Sequence, residues 1–109
     1  MTPPGLTELE VGLLGRVFGA HPEVRAVRLF GSRAKGTHKP WSDVDLALSG
    51  ELNELGAAAI AAELDELPLP YLFDVVVFEQ VRLPALHEHI ERVGWLIYKG
   101  TGPFAPTGT

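Results

Sequence analysis

Residues 29–46 read Leu29-Phe30-Gly31-Ser32-Arg33-Ala34-Lys35-Gly36-Thr37-His38-Lys39-Pro40-Trp41-Ser42-Asp43-Val44-Asp45-Leu46. An apolar run ends at Phe30 and is broken by Gly31-Ser32. A polar stretch follows, and then Asp43-Val44-Asp45 opens a second apolar run. Glycine lets backbone N–H groups come close to a ligand. If a short helix starts after Gly31, its N-terminus adds unpaired N–H groups and a partial positive charge. The Ser32 hydroxyl supplies one more donor. Such a turn can hold a phosphate, although Gly-Ser is also an ordinary turn. Asp43 and Asp45 are two apart on a strand, so they share a face. Two carboxylates that close raise each other's cost of ionisation. A divalent cation removes that cost, and hard oxygen donors suit Mg²⁺. The plainer reading is a solvated strand face.

Either side of this stretch the pattern is regular. Upstream, Val24 to Phe30 is predicted as a strand, with Arg25 and Arg28 interrupting strict alternation. A helix precedes it, with Leu6, Leu9, Leu13 and Val17 on one stripe. Thr7 and Glu10 have the spacing of a capping box. His21-Pro22 closes the helix, because the residue before proline avoids helical angles. Downstream, Asp43 to Ser49 alternates as a strand with two different faces. After a turn over Gly50 to Asn53, Leu52, Leu55, Ala59, Ile60, Leu64 and Leu67 outline an alanine-rich helix. Pro68 and Pro70 stop it.

Tyr71 to Phe78 is nearly continuous apolar sequence, which predicts a strand buried on both faces. Asp74 stands in its middle. An ionised carboxylate there is costly unless it is paired or metal-bound. Arg33 or Lys35 are the candidate ion-pair partners. Pro84 suits the first turn of a last helix with Leu83, Leu86, Ile90 and Val93 on its stripe, and Gly94 ends it. Trp95 to Tyr98 is a short apolar segment that docks on the core. The predicted fold is α+β, a small mixed sheet of three or four strands flanked by helices. It forms one domain over residues 1–109, with its core at about 6–99 and a flexible tail from 100 to 109.

The 109 residues suit one such domain, and a 46% apolar share supplies its core. A net charge of -5 argues against a general nucleic-acid binder and against sequence-specific nucleic-acid contact. With no cysteine, disulfides, thiolate chemistry and Cys-based zinc sites are excluded. Neither a secretory signal nor an apolar run of ~20 residues is present, so a cytoplasmic location without membrane contact is expected. Gly-Lys-[Ser/Thr] is missing, which excludes a P-loop.

Taken together, Gly31-Ser32, Asp43-Val44-Asp45 and the later Asp74 resemble the DNA polymerase β-like nucleotidyltransferase superfamily. Leu29 to Gly36, Ser42 to Leu46, Phe73-Asp74-Val75-Val76, Ile90 to Gly94 and Leu96-Ile97-Tyr98 resemble its minimal nucleotidyltransferase (MNT) family more closely, over about residues 6–99. The resemblance implies a polymerase β-like fold and an Mg²⁺-dependent enzyme. Its substrate would be an NTP, ATP foremost, and its product a nucleoside monophosphate on an acceptor hydroxyl. Gly31 and Ser32 would bind the β/γ-phosphates. Asp43 and Asp45 would hold two Mg²⁺ ions. Asp74 would hold one of them and serve as, or beside, the general base. Arg33 and Lys35 are either supplementary phosphate contacts or solvated turn residues.

MNT proteins act with HEPN-domain partners, which implies an antitoxin that moves AMP onto a tyrosine of a HEPN toxin. The surface for such a partner is expected on the last helix and Trp95. Two alternatives stay open. One is a small-molecule transferase similar to aminoglycoside-modifying enzymes, working as a homo-oligomer or with a helical subunit. The other is a binding module that neutralises its partner by contact alone. A templated polymerase is not expected, for want of a basic groove. Trp41 is read as stacking on a base or partner, or as a half-buried loop residue. His38 is read as a surface loop histidine. His87 and His89, two apart on a helix, do not form a metal pair.

Overall fold

The computed structural model describes residues 2–100. The elements run α1 (Glu8–Gly19), β1 (Val24–Phe30), a one-turn α2 (Ser32–Lys35), β2 (Val44–Gly50), α3 (Glu54–Asp65), β3 (Phe73–Val77), α4 (Pro84–Val93) and β4 (Trp95–Lys99). A 3-10 turn over Phe78–Gln80 leads from β3 towards α4. The expected tail lies, past Gly100, outside the described residues. The sheet order is β3-β2-β1-β4. β1 runs antiparallel to β2 and β4, and β2 is parallel to β3. The parallel pair needs a crossover, and α3 provides it. The architecture is therefore α+β with a four-stranded mixed sheet. Trp95 to Tyr98, expected only to dock, is its fourth strand.

The two faces of the sheet are covered unequally. Val44, Leu46 and Leu48 of β2 join Val27 and Leu29 of β1 against Leu14 and Phe18 of α1 and Ile60 and Leu64 of α3. On the other face Phe30 and Ala47 pack with Ile90 of α4 and Val76 of β3. Asp45 lies on this second face, by the two-residue period of a strand. Ala47 is covered there, whereas Asp45 stays half-buried.

Three expectations change. α1 has two overlapping stripes, and the buried one runs through Leu14 and Phe18, while Leu9 is 74% exposed. The stripe carrying the aromatic removes more apolar surface, so it takes the core. α3 likewise buries Ala57, Ile60 and Leu64, leaving Leu55 and Ala59 exposed. β3 is an edge strand, so its apolar run is not buried on both faces, and Asp74 is exposed.

The local signals held. Glu10 N–H donates to Thr7 Oγ1 (3.1 Å) and Thr7 N–H to Glu10 Oε1 (2.9 Å), closing the capping box. Pro84 starts α4. Gly94 ends it, but with extended rather than left-handed angles. Glycine is needed there because a Cβ would strike the Ile90 carbonyl oxygen.

The choice of α1 stripe can be tested by two substitutions. Leu14→Ala should cost about 2–5 kcal/mol in urea unfolding, and Leu9→Ala under about 0.5 kcal/mol. Equal costs would contradict the packing.

Candidate active site

The site forms where β1 ends and where β2 and β3 begin. Asp45 is in register with Phe30 on one side and with Asp74 on the other. Gly31 follows Phe30 with φ of 75° and ψ of -156°. That φ favours glycine. A Cβ there would also collide with Asp45 Oδ2. The Asp45 carboxylate therefore rests against the Gly31 backbone, and the Gly-Ser turn faces the acidic strand. Gly31 caps α2, whose first helical residue is Ser32. N–H groups in a helix's first turn have no intrahelical acceptor.

Asp43 is exposed, just ahead of β2. It joins Asp45 and Asp74 around the same end of the sheet. Burial first, then Asp74, then Asp43 push the Asp45 carboxyl up to about 6. Among the described residues none of the ion pairs involves these three aspartates. The pairing of Asp74 with Arg33 or Lys35 is thus not formed. Asp74 is not forced to pair by burial, because it stands in water on an edge strand. Among the described residues no three acidic or histidine side chains close into a ready-made metal cage. Mg²⁺ does not require one: it keeps several waters and is held by one or two carboxylates plus substrate phosphates. Neighbouring carboxylates across from a phosphate-sized turn fit that donor set.

Arg33 departs from both of its expected roles. It is 3% exposed, neither a solvated turn residue nor a side chain open to phosphate. Nη1 donates to the Gly5 carbonyl (2.8 Å), Nε to that of Ser42 (3.1 Å) and Nη2 to that of Pro40 (3.3 Å). The guanidinium also lies 4.4 Å from the Tyr71 ring centroid. The Tyr71 hydroxyl donates to Glu10 Oε2 at 2.5 Å. That bond, with burial behind it, raises the Tyr71 pKa. Sequence reasoning missed this cluster. Backbone carbonyls are its main acceptors, and they leave no mark on residue identity. Lys35, the other cation of the turn, is exposed.

Trp95 Nε1 donates to the Ala34 carbonyl (3.1 Å), so the indole braces α2 and is not a free partner surface. His38 is half-buried, with Nδ1 enclosed and unpaired beside a hollow of about 250 Å³ lined by Glu10, Arg33 and Tyr71. His87 stacks on Phe78, and His89 meets Phe30 edge-on. A cavity of about 440 Å³, lined by none of the three aspartates, lies between Ala57 and Ala61 of α3, Val75 to Val77 of β3, and Leu86.

Two substitutions probe this geometry. The raised Asp45 carboxyl binds its proton more tightly folded than unfolded. The resulting penalty is absent below about pH 4, grows as pH rises towards 6 and is full above it. Asp45→Asn should therefore raise Tm by roughly 5 °C at pH 7.5 without metal and leave it nearly unchanged at pH 4. An equal shift at both pH values would contradict the repulsion. Arg33→Lys should cost about 2–4 kcal/mol in urea unfolding, because an ammonium cannot serve the same carbonyls and stack on Tyr71. A cost under about 0.5 kcal/mol would show the guanidinium dispensable.

A protein-family model described as polymerase beta, nucleotidyltransferase matches residues 14–101. No curated protein matches the chain. Among solved structures, a toxin–antitoxin complex with AMP-PNP is similar at 26% identity and a TM-score of 0.68, over 88% of this chain and 75% of that one. The complex of tri-AMPylated Shewanella oneidensis HEPN toxin with MNT antitoxin aligns at 19% identity and a TM-score of 0.66, over 88% and 74% of the two chains. The MntA–HepT toxin–antitoxin pair aligns at 19% identity and a TM-score of 0.66, over 87% and 74%. The family match spans most of the chain and the fold agrees with it: this chain belongs to the polymerase β nucleotidyltransferase family and is a nucleotidyltransferase domain.

Proposed function

We propose that this chain works as a single Mg²⁺-dependent domain that transfers AMP from ATP to a tyrosine hydroxyl of a HEPN-type toxin, and so acts as its antitoxin. One observation carries the transfer reading. The Asp45 carboxylate is held between the Gly31 turn and Asp74, so the Gly31-Ser32 turn and an acidic cluster share one site. The acceptor reading is supported by the AMP-PNP-bound toxin–antitoxin complex at 26% identity, whose fold this chain shares.

In this reading, N–H groups at Gly31 and Ser32, with the Ser32 hydroxyl, hold the β/γ-phosphates. Asp43 and Asp45 hold Mg²⁺, and Asp74 shares one ion. Held there, Mg²⁺ would supply Lewis-acid neutralisation of the charge that develops in an in-line displacement, with Asp43, Asp45 and Asp74 as the residues that would hold it. Asp74 takes the proton from the tyrosine hydroxyl as its oxygen bonds to the α-phosphorus. The bond from that phosphorus to the β-phosphate bridge breaks, and pyrophosphate leaves on the Gly31-Ser32 side. The like-charge repulsion acting on Asp45 is relieved when the cation is held. Arg33, occupied by carbonyls, fixes the turn without touching phosphate.

The test is transfer from α-labelled ATP to a HEPN-domain toxin, starting with any encoded beside this chain. Label should appear on that protein's tyrosine, vanish with EDTA, and fall at least ~100-fold in Asp43→Asn/Asp45→Asn. A wild type that labels nothing, or a double variant that still labels, would sink the proposal.

A further inference from the structure

Trp41 is 77% exposed and Leu72 is 73% exposed. Other exposed large apolar residues include Leu9 on α1, Leu55 on α3 and Leu83 just before α4. Single exposed apolar side chains are normal. What distinguishes Trp41 and Leu72 is their place. Trp41 stands two residues ahead of Asp43, and Leu72 two ahead of Asp74. β2 and β3 run parallel side by side, so both residues precede their aspartates at the same end of the sheet. Val44 N–H donates to the Leu72 carbonyl (2.9 Å), which carries the pairing back to Leu72. Leu72 therefore shares the sheet face of Asp74 and Asp45.

The Trp41 turn is also anchored. The carbonyls of Pro40 and Ser42, on either side of it, both accept from the buried Arg33 guanidinium. Ser42 N–H donates to the Lys39 carbonyl (3.0 Å), and Lys39 N–H to Ser42 Oγ (2.8 Å). A loop pinned this firmly nonetheless leaves its indole in water. Pre-organised exposed aromatics of this kind are typical binding anchors, because little entropy is lost on contact.

In-line displacement fixes which reactant meets them. The leaving group and the nucleophile approach the transferred phosphorus from opposite sides. In the reading above, the pyrophosphate departs towards Gly31 and Ser32, at the end of β1. The nucleophile then arrives over β3, the side of Asp74 and Leu72. We infer that Trp41 and Leu72 form an apolar shelf for the acceptor, seating the polypeptide segment that presents the tyrosine. This rests on the proposed transfer reaction. It assigns the specificity of that site to two residues outside the aspartates and the phosphate turn. A tyrosine ring and its apolar neighbours suit an indole and a leucine. The leucine makes the difference from a polycationic sugar, because it offers neither a hydrogen bond to a hydroxyl nor a π face to an ammonium group.

The experiment combines kinetics with the two indole N–H signals in a ¹⁵N spectrum. Trp95 Nε1 is bonded to Ala34 within the phosphate turn, while Trp41 is exposed, so the two report different sides of the site. Mg²⁺-AMP-PNP should shift the Trp95 signal and leave that of Trp41 in place. Adding the HEPN-domain protein that accepts AMP in the transfer assay should then shift Trp41. Trp41→Ala and Leu72→Ser should each raise KM for that protein at least ~10-fold, with KM for ATP changed less than about two-fold. Leu55→Ala, an exposed position on α3, is the control and should change neither.

A Trp41 signal that moves with nucleotide alone, together with a raised KM for ATP, would make it a base-stacking residue and overturn the shelf. Wild-type transfer with both variants behaving like Leu55→Ala would overturn the shelf and leave the transfer reaction standing. Transfer to an aminoglycoside but not to protein would overturn the polypeptide occupant. A wild type that neither binds Mg²⁺-AMP-PNP nor transfers AMP would overturn the transfer reaction, and the shelf with it.

Discussion

A guanidinium almost entirely out of water must be surrounded by acceptors, and that requirement organises this molecule around Arg33. Removing such a charge from water costs several kcal/mol unless its donors are satisfied. Arg33 meets the demand with main-chain carbonyls and with the face of Tyr71. Its partners come from three separate segments. Gly5 precedes α1, Pro40 and Ser42 precede Asp43, and Tyr71 precedes the strand of Asp74. Arg33 itself follows Ser32. One buried side chain thus sets the Gly31-Ser32 turn, the acidic strand and the third carboxylate in relation to one another. The Tyr71 hydroxyl passes the constraint on to Glu10, which also closes the capping box of α1.

The rest of the site follows from strand parity. β2 points Val44, Leu46 and Leu48 into the main core, so Asp45 and Ala47 face the other way. α4 covers that second face at Ala47 through Ile90, and the coverage thins towards Asp45. The result is a carboxylate half in the protein, beside a second in register and a third two residues ahead. This arrangement lowers stability when no cation is present. Folds commonly tolerate such a cost where function needs the strain. The apolar strand beneath supplies the stability that offsets it.

Much of this was legible in residue types. β1 runs over Val24–Phe30, as its composition predicts. The Thr7-Glu10 box and the proline at the start of α4 are local signals with local causes, and they hold. The demand for glycine at position 31 was also visible, although its cause was not: Asp45 takes the space a side chain would need. Longer-range features escaped. Nothing in Leu72-Phe73-Asp74-Val75-Val76-Val77 says whether another strand lies beyond it, so an edge strand reads as a buried one. α1 offers two apolar stripes, and only packing against α3 and β4 selects between them. Arg33 looks like any turn cation, because its acceptors are backbone atoms.

The division of labour between the two cations of the turn bears on how nucleotide is received. Arg33 points inward and is occupied, while Lys35 is exposed. For the proposed reaction, phosphate charge then falls to N–H groups at the start of α2, to Ser32, to Lys35 and to metal. The chain carries a net charge of -5, and three carboxylates crowd the same end of the sheet. A free nucleoside triphosphate would meet a repulsive field on approach. A metal-bound one brings part of its own neutralisation and fills the gap between the carboxylates as it docks. The same aspartates that repel the bare nucleotide would then become its ligands. For the proposed reaction, discrimination for the metal complex would therefore lie in the charge of the site itself.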